Sequence, residues 1–357
     1  MSDFGLNFED LGLTPDEKGL EPEEKKDKLD SLSHQKAVKD LIRSLRLGKK
    51  GDKLAAAWQL SKVEGDAAVV NSLVKELHHL RDEDVLLEII SALGHLADES
   101  SIKALVSVLS SSGSTHLRRK AAWAISNMKK SDKALGALEA TMLSDSSPEV
   151  RVEAAWGIGN LNNPKATGSL VDVLIADQSR PVRKMAVWAL GEVGEKEVVE
   201  FIQRALEGDP DPEVRREAAW VLGKKKIKEA KTALSKALYL EHDKEVIRMI
   251  IWALGKMEDE TIVKDFEVVF GEEHYGIEAQ KEAAYVLGRL KIKTAAPLLL
   301  GKYKKANKTV KEVILWSLGK IADYDSISKL RGFYNREKDK ELKDEITWVV
   351  NEIKAAN

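Results

Sequence analysis

The chain has 357 residues, 43% of them hydrophobic and 32% charged, with a net charge of −2 and no cysteine. Such a chain can bury a core and stay soluble, while disulfides, thiolate metal sites and thiol nucleophiles are excluded. The near-neutral balance gives no overall pull toward nucleic acid. No apolar run is long enough to span a membrane, and the acidic start lacks the basic-then-apolar order of a signal peptide. These features fit a cytoplasmic protein.

Residues 1–33 carry ten acids and four bases, a net of −6, so the remainder carries +4. They hold Pro and Gly but no repeat, and the composition predicts a disordered tail. Within it Phe4, Leu6, Phe8, Leu11 and Leu13 stand among Asp3, Glu9 and Asp10. That is an acidic-hydrophobic peptide, a ligand for this chain's own surface or for another protein.

From residue 34 the chain repeats. EVRVEAAWGIGNL, PVRKMAVWALGEV, EVRREAAWVLGKK and EVIRMIIWALGKM are versions of one segment, and weaker copies precede and follow them. The aligned aromatic position reads Trp58, Ser91, Trp123, Trp156, Trp188, Trp220, Trp252, Tyr285, Trp316 and Trp348, at intervals of 31 to 33 residues. All eight tryptophans occupy it. Between these segments lie second apolar stretches whose hydrophobic residues recur at three and four, the helical period. Asp211-Pro212-Glu213 and Ser147-Pro148-Glu149 each offer a cap, a first-turn Pro and an acid at a helix start. Each unit is therefore a pair of helices. One pair cannot bury its apolar face alone, so neighbours must stack.

Numbering the second helix of a repeat so that Val214 is position 1 puts Trp220 at position 7. Positions 1, 5, 8 and 12 share one face, here Val214, Ala218, Val221 and Lys225, which is expected to meet the paired helix. Position 7 lies about 240° round from it. Its neighbours one turn away are position 3, with Arg119, Val152, Lys184, Arg216, Arg248 and Lys281, and position 11, with Lys224, Lys256, Arg289 and Lys320. The expectation is a Trp column flanked by cations, open to a ligand through indole and cation–π contacts. The alternative is that each indole fills a seam between repeats. Position 10 is usually Gly, as at Gly159, Gly191, Gly223, Gly255, Gly288 and Gly319. Gly costs about 1 kcal/mol in a helix against Ala, which a ring or a close helix lying on it would offset. Position 2 carries Arg118, Arg151, Arg183 and Arg215, expected to pair with acids of a neighbouring repeat.

The run from Asp211 to Gly223 resembles HEAT repeats, in particular the short HEAT-like type of phycobilisome lyases, and the resemblance covers residues 34–357. It implies an all-α, right-handed α-solenoid of about ten two-helix repeats whose second helices line the concave wall. Trp123 with Asn127 and Trp156 with Asn160 also resemble the Trp-x-x-x-Asn ladder of armadillo transport receptors, where the Asn holds an extended peptide. Ala279–Leu290 is similar to a segment of deoxyhypusine hydroxylase, but Lys281-Glu282 stands where that family has metal-binding His-Glu. No His-Glu dipeptide occurs in the chain, and its seven histidines show no metal spacing.

The reading is a non-enzymatic scaffold or adaptor, without cofactor or metal. It binds a protein partner, as an acidic or extended peptide, along Trp123, Trp156, Trp188, Trp220, Trp252, Tyr285 and Trp316 and the cations and asparagines beside them. Two alternatives stay open. The repeat type allows a bilin-lyase-like subunit. The lysines at 224–226 and 228, and at 302, 304, 305 and 308, allow a nucleic-acid binder like the HEAT-like glycosylases.

Overall fold

The computed structural model describes residues 22–129, 131–194 and 197–356, with side chains from Ser33 onward. All regular structure among them is helical, and twenty α-helices form ten consecutive pairs. The chain divides into two compact units, one ending at Leu161 and one beginning at Asn162. The first holds α1 (Pro22–Leu47), α2 (Lys50–Leu60), α3 (Ala67–His79), α4 (Glu83–Leu96), α5 (Ile102–Ser111), α6 (Thr115–Ser126), α7 (Asp132–Ser144) and α8 (Pro148–Leu161). The second holds α9 (Thr167–Ala176), α10 (Arg180–Val193), α11 (Val198–Gly208), α12 (Pro212–Lys224), α13 (Lys231–Leu240), α14 (Lys244–Lys256), α15 (Ile262–Gly271), α16 (Gly276–Arg289), α17 (Ala296–Tyr303), α18 (Lys308–Ile321), α19 (Ser326–Arg336) and α20 (Lys340–Ala356).

The expected tail boundary at residue 34 moves. Helix α1 starts at Pro22, so residues 22–33 are helical rather than disordered, and residues 1–21 lie outside the described residues. Composition alone misled here. The stretch PEEKKDKLDSLS is strongly charged, but it is rich in Glu, Lys and Leu and spaces Glu24 four residues before Lys28, a sequence that favours a helix.

Helix starts are fixed locally. The side chains of Asp66, Asp82, Ser114, Asp211, Asp243 and Asn307 each accept a bond from a first-turn amide. Each such cap contributes about 1 kcal/mol. Helix ends follow a rule that composition hides. Six residues after the aromatic position, Ala97, Asn162, Gly194, Lys226, Glu258, Lys291 and Ala322 adopt left-handed backbone, with φ between 49° and 74°. This closes the second helix in the αL manner, although only one of the seven is Gly.

Within each unit, second helices pack on second helices more densely than first helices do on first helices. The position-2 arginines join consecutive repeats through their turns. Arg118 donates to Asp145 at 2.8 and 3.0 Å and to the carbonyl of Ser112 at 3.0 Å. Arg183 reaches Asp209 at 2.8 and 3.0 Å and the carbonyl of Asp177 at 3.0 Å. Arg215 reaches Glu241 at 2.7 and 2.9 Å and the carbonyl of Asp209 at 2.8 Å. Lys311 with Glu337, at 2.9 Å, repeats the theme. The expected structural role of this column is what these forks perform. Each acid also accepts backbone amides of its own turn, as Asp145 does from Ser147. Burial alone would raise the Asp145 and Glu241 carboxyls, but the guanidinium and the amides outweigh it and hold both below their ordinary values.

Two outcomes follow for stability. Arg215→Ala strands the buried Glu241 charge and is expected to cost about 3 kcal/mol by urea unfolding at pH 7. Because the folded carboxyl titrates below the unfolded one, the wild-type contribution is full above about pH 5 and is lost as pH falls through the lowered folded value. The gap between variant and wild type should therefore close in acid. Conversely, Ala322→Gly relieves a left-handed non-Gly residue and is expected to stabilise by about 1 kcal/mol in the same assay.

Candidate ligand-binding stripe

The second helix is buried on more of its circumference than the paired-helix face. In α14, Val246, Ile247, Ile250, Ile251, Ala253, Leu254 and Gly255 are all buried, because the helix meets its own partner and neighbouring second helices. Lys225, expected on the face toward the paired helix, is instead exposed in the turn after α12 and lies 3.4 Å from Glu192. What stays open is positions 3, 4, 7 and 11, which fall within about 100° of one another on a helical wheel.

The aromatics occupy the middle of this stripe. Trp123, Trp156, Trp188, Trp220, Trp252 and Trp316 are half-buried, while Trp58, Tyr285 and Trp348 are 54%, 44% and 47% exposed. No indole is shut in, and none stands free. At two repeats the ring edge presses on the Gly of the preceding repeat. A Cβ added at Gly94 would fall 2.7 Å from Cζ3 of Trp123, and one at Gly223 would fall 2.7 Å from Cζ3 of Trp252. At Gly191, Gly255 and Gly288 the close neighbour is instead Val221, Val286 or Ser317. Both expected reasons for the helical glycines hold, at different repeats. In the second unit Tyr285 and Trp316 stack at 5.0 Å with planes 18° apart. In the first, where Ser91 replaces the aromatic, His95 meets Trp123 edge-on at 5.3 Å.

The cations divide by position. At position 11 the ammonium folds back over the indole of its own helix: Lys62 over Trp58 at 3.2 Å, Lys224 over Trp220 at 4.5 Å, Lys256 over Trp252 at 5.3 Å and Lys320 over Trp316 at 5.9 Å. Lys120, at position 4, covers Trp123 at 3.9 Å. At three repeats where position 11 is Asn or Arg, its side chain turns to the neighbouring helix. Asn127 donates to the carbonyl of Gly94 at 3.1 Å, Asn160 to that of Ser126 at 3.3 Å, and Arg289 to that of Gly255 at 3.0 Å. The asparagines were expected to hold a peptide backbone. Their amide N–H groups instead tie adjacent helices, because a short side chain at position 11 sits against the exposed carbonyl above a Gly or Ser.

Position 3 is less cationic than its sequence reads. Arg119 lies 3.5 Å from Glu153, Lys184 3.1 Å from Glu213, Arg248 3.1 Å from Glu245 and Lys281 3.1 Å from Glu278. Arg216 lies in the field of Glu213 and Glu217. The acids come from the helix start and from position 4, which the sequence reading overlooked although the same wheel places it on the open arc. Position 4 carries Glu153, Met185, Glu217, Met249 and Glu282 beside the rings. Burial pushes the Glu153 and Glu217 carboxyls up, against the pull of Arg119 on the first and of Lys184, Arg216 and Lys224 on the second. The stripe is thus amphoteric, with lysines over the rings.

Two substitutions probe this geometry. Gly223→Ala gains helix propensity worth about 1 kcal/mol but drives a methyl into Ala253 backbone and Trp252. The overpacking is expected to win by about 1–2 kcal/mol, with a shift in indole emission. For Glu217 the sign runs the other way from the buried pairs. A raised folded value means the ionised form costs stability, and the cost grows as pH rises from the unfolded value through the folded one. Glu217→Gln should therefore match or exceed wild-type stability at pH 7, with the difference vanishing near pH 4.

The description of HEAT repeats fits residues 70–146, 136–210 and 199–274. No curated protein matches the chain significantly. Among solved structures, Kap95p in its complex with RanGDP is similar over 94% of this chain and 50% of its own, at 13% identity and a TM-score of 0.60, so this chain spans half of that protein's length. An engineered protein matches at 22% identity over 89% of this chain and 98% of its own, with a TM-score of 0.43. The CpcE–CpcF complex of phycocyanin lyase from Nostoc sp. matches at 17% identity over 80% and 94%, with a TM-score of 0.36.

Proposed function

Since the chain belongs to the HEAT-repeat family, an all-α solenoid fold suited to protein interaction, we propose that it is a non-enzymatic scaffold that binds a partner protein along the indole stripe. The segment it takes is extended and combines acidic with apolar side chains. One observation carries this reading: half-open indoles recur at the repeat spacing, and lysine ammoniums lie on them rather than in ion pairs with buried acids. A ligand carboxylate can draw such a lysine away, and a neighbouring apolar side chain then takes the vacated ring face. Acid and apolar group are recognised together or poorly. Trp and Arg are also residues enriched where binding energy concentrates, and a cation over an indole face is attracted to it.

The nucleic-acid alternative loses support at its own residues. Lys224 and Lys225 lie 3.3 and 3.4 Å from Glu192, Lys226 lies 3.0 Å from Glu258, and Lys308 pairs with Asp339 and Glu341. Lysines already paired with acids release fewer counterions from a phosphate backbone. The bilin-lyase alternative stands on repeat type, and no feature of the stripe adds to it.

The test is a fluorescence titration with two synthetic 12-residue peptides, one alternating Glu with Leu and Phe, the other Lys with Leu and Phe. The acidic peptide is expected to bind and the basic one to bind at least tenfold more weakly. Trp188→Ala with Trp220→Ala should lose at least tenfold in affinity while the helical circular dichroism stays near wild type. Equal binding of both peptides would sink the charge preference, and undiminished affinity in the double variant would sink the stripe.

A further inference from the structure

We infer that the segment Asp3–Leu13 of this same chain docks on the stripe of the first unit, at the indoles of Trp58 and Trp123. The inference rests on the reading of the stripe as a receptor for acidic, apolar segments and names an occupant for one part of it.

The first unit presents two ring faces under lysines. Trp58 is 54% exposed, the most open tryptophan of the chain, and Lys62 lies over it at 3.2 Å. Lys62 makes no ion pair among the described residues, so its ammonium is held on this side only by the ring. Trp123 lies under Lys120. Between the two rings the repeat of α3 and α4 has Ser91, without a ring, at the aromatic position. Two steps between second helices at 8–10 Å each separate the rings by about 20 Å. An extended chain covers that in about six residues. In the segment, Leu6 and Leu11 are five residues apart and Phe4 and Leu11 seven, with Glu9 and Asp10 between them.

Charge and reach agree with this occupant. Residues 1–21 hold six acids and one base. Helix α1 has 26 residues against 11 in α2, so its first half runs past the C-terminal end of α2, where Trp58 sits. That overhang is on the order of 20 Å at 1.5 Å per residue. The first overhanging side chains with described exposure, Ser33 to Ala37, are all exposed. The nine residues from Leu13 to Pro22 can extend about 30 Å, enough to return along the overhang to Trp58. On arrival Glu9 and Asp10 would draw Lys62 and Lys120 off their rings, and apolar side chains would take the faces.

The experiment is zero-length carbodiimide coupling of carboxylates to lysines in the full chain at low micromolar concentration. The monomer band is then mapped by peptide mass spectrometry. The expected products join Glu9 or Asp10 to Lys62 or Lys120. In a chain with Phe4→Ser, Phe8→Ser and Leu11→Ser, which keeps every acid, their yield should fall at least fivefold. Unchanged yield in that variant, coupling spread over other lysines, or products confined to a dimer band would each overturn the inference. If they do so while the acidic peptide still binds through Trp188 and Trp220, the general reading of the stripe survives and only the intramolecular occupant is rejected.

Discussion

The close approach of one second helix to the next is the constraint on which the rest depends. It is made possible where a glycine or a small side chain faces its neighbour, as at Gly94 against Ala124 and Gly223 against Ala253, where not even a methyl group fits. A helix that near its neighbour buries its flanks as well as the face toward its own partner. Only a narrow arc remains open, and the aromatic residue stands at its centre. The indole cannot sink into the seam, because backbone and small side chains already fill it. At Trp123 and Trp252 it lies across the glycine of the preceding repeat instead, half-covered below and half-open above. The position and exposure of the stripe are therefore consequences of packing density.

Electrostatics divides its work between two faces of the same helix. At the turns, arginine forks hold acids that also cap backbone amides, and burial makes these pairs structural. The carboxyls sit below their ordinary values because the charged form is the one the fold binds. On the stripe the opposite holds. Glu153 and Glu217 sit above theirs because burial outweighs cations that are themselves shared or half-solvated. Lys62, Lys120, Lys256 and Lys320, which lie over rings and have no ion pair among the described residues, are the weakly held members of this set. An exposed cation–π contact is worth about 0.5–1 kcal/mol, little enough for a ligand carboxylate to replace it.

Several features were legible in the residues and several were not. The recurrence of Trp counted the repeats, and helical spacing placed the aromatic off the paired-helix face. The arginine column was readable as a structural tie from the repeat type, and Arg118, Arg183 and Arg215 do meet acids of the next repeat. The asparagines 127 and 160 were misleading: their spacing matches a peptide clamp, but the carbonyl they meet belongs to the neighbouring helix, and no local pattern reveals which carbonyl lies within reach. The cation column was overstated for a related reason. Lys184 finds its acid 29 residues later, and such a pairing exists only once repeats stack. The left-handed residue closing most second helices was hidden because Ala, Asn, Lys and Glu adopt it where Gly would be the recognisable sign.

By itself, then, the sequence determined the repeat, its length, its helical character and the family. These follow from periodicity and capping, which act within one or two turns of the chain. Tertiary structure decided where the disorder-like start becomes helix, which cations are already paired, what the asparagines hold, and how far each indole is open. Those properties depend on distances between residues about thirty positions apart, which are set by how tightly one repeat lies on the next and are written in no single repeat.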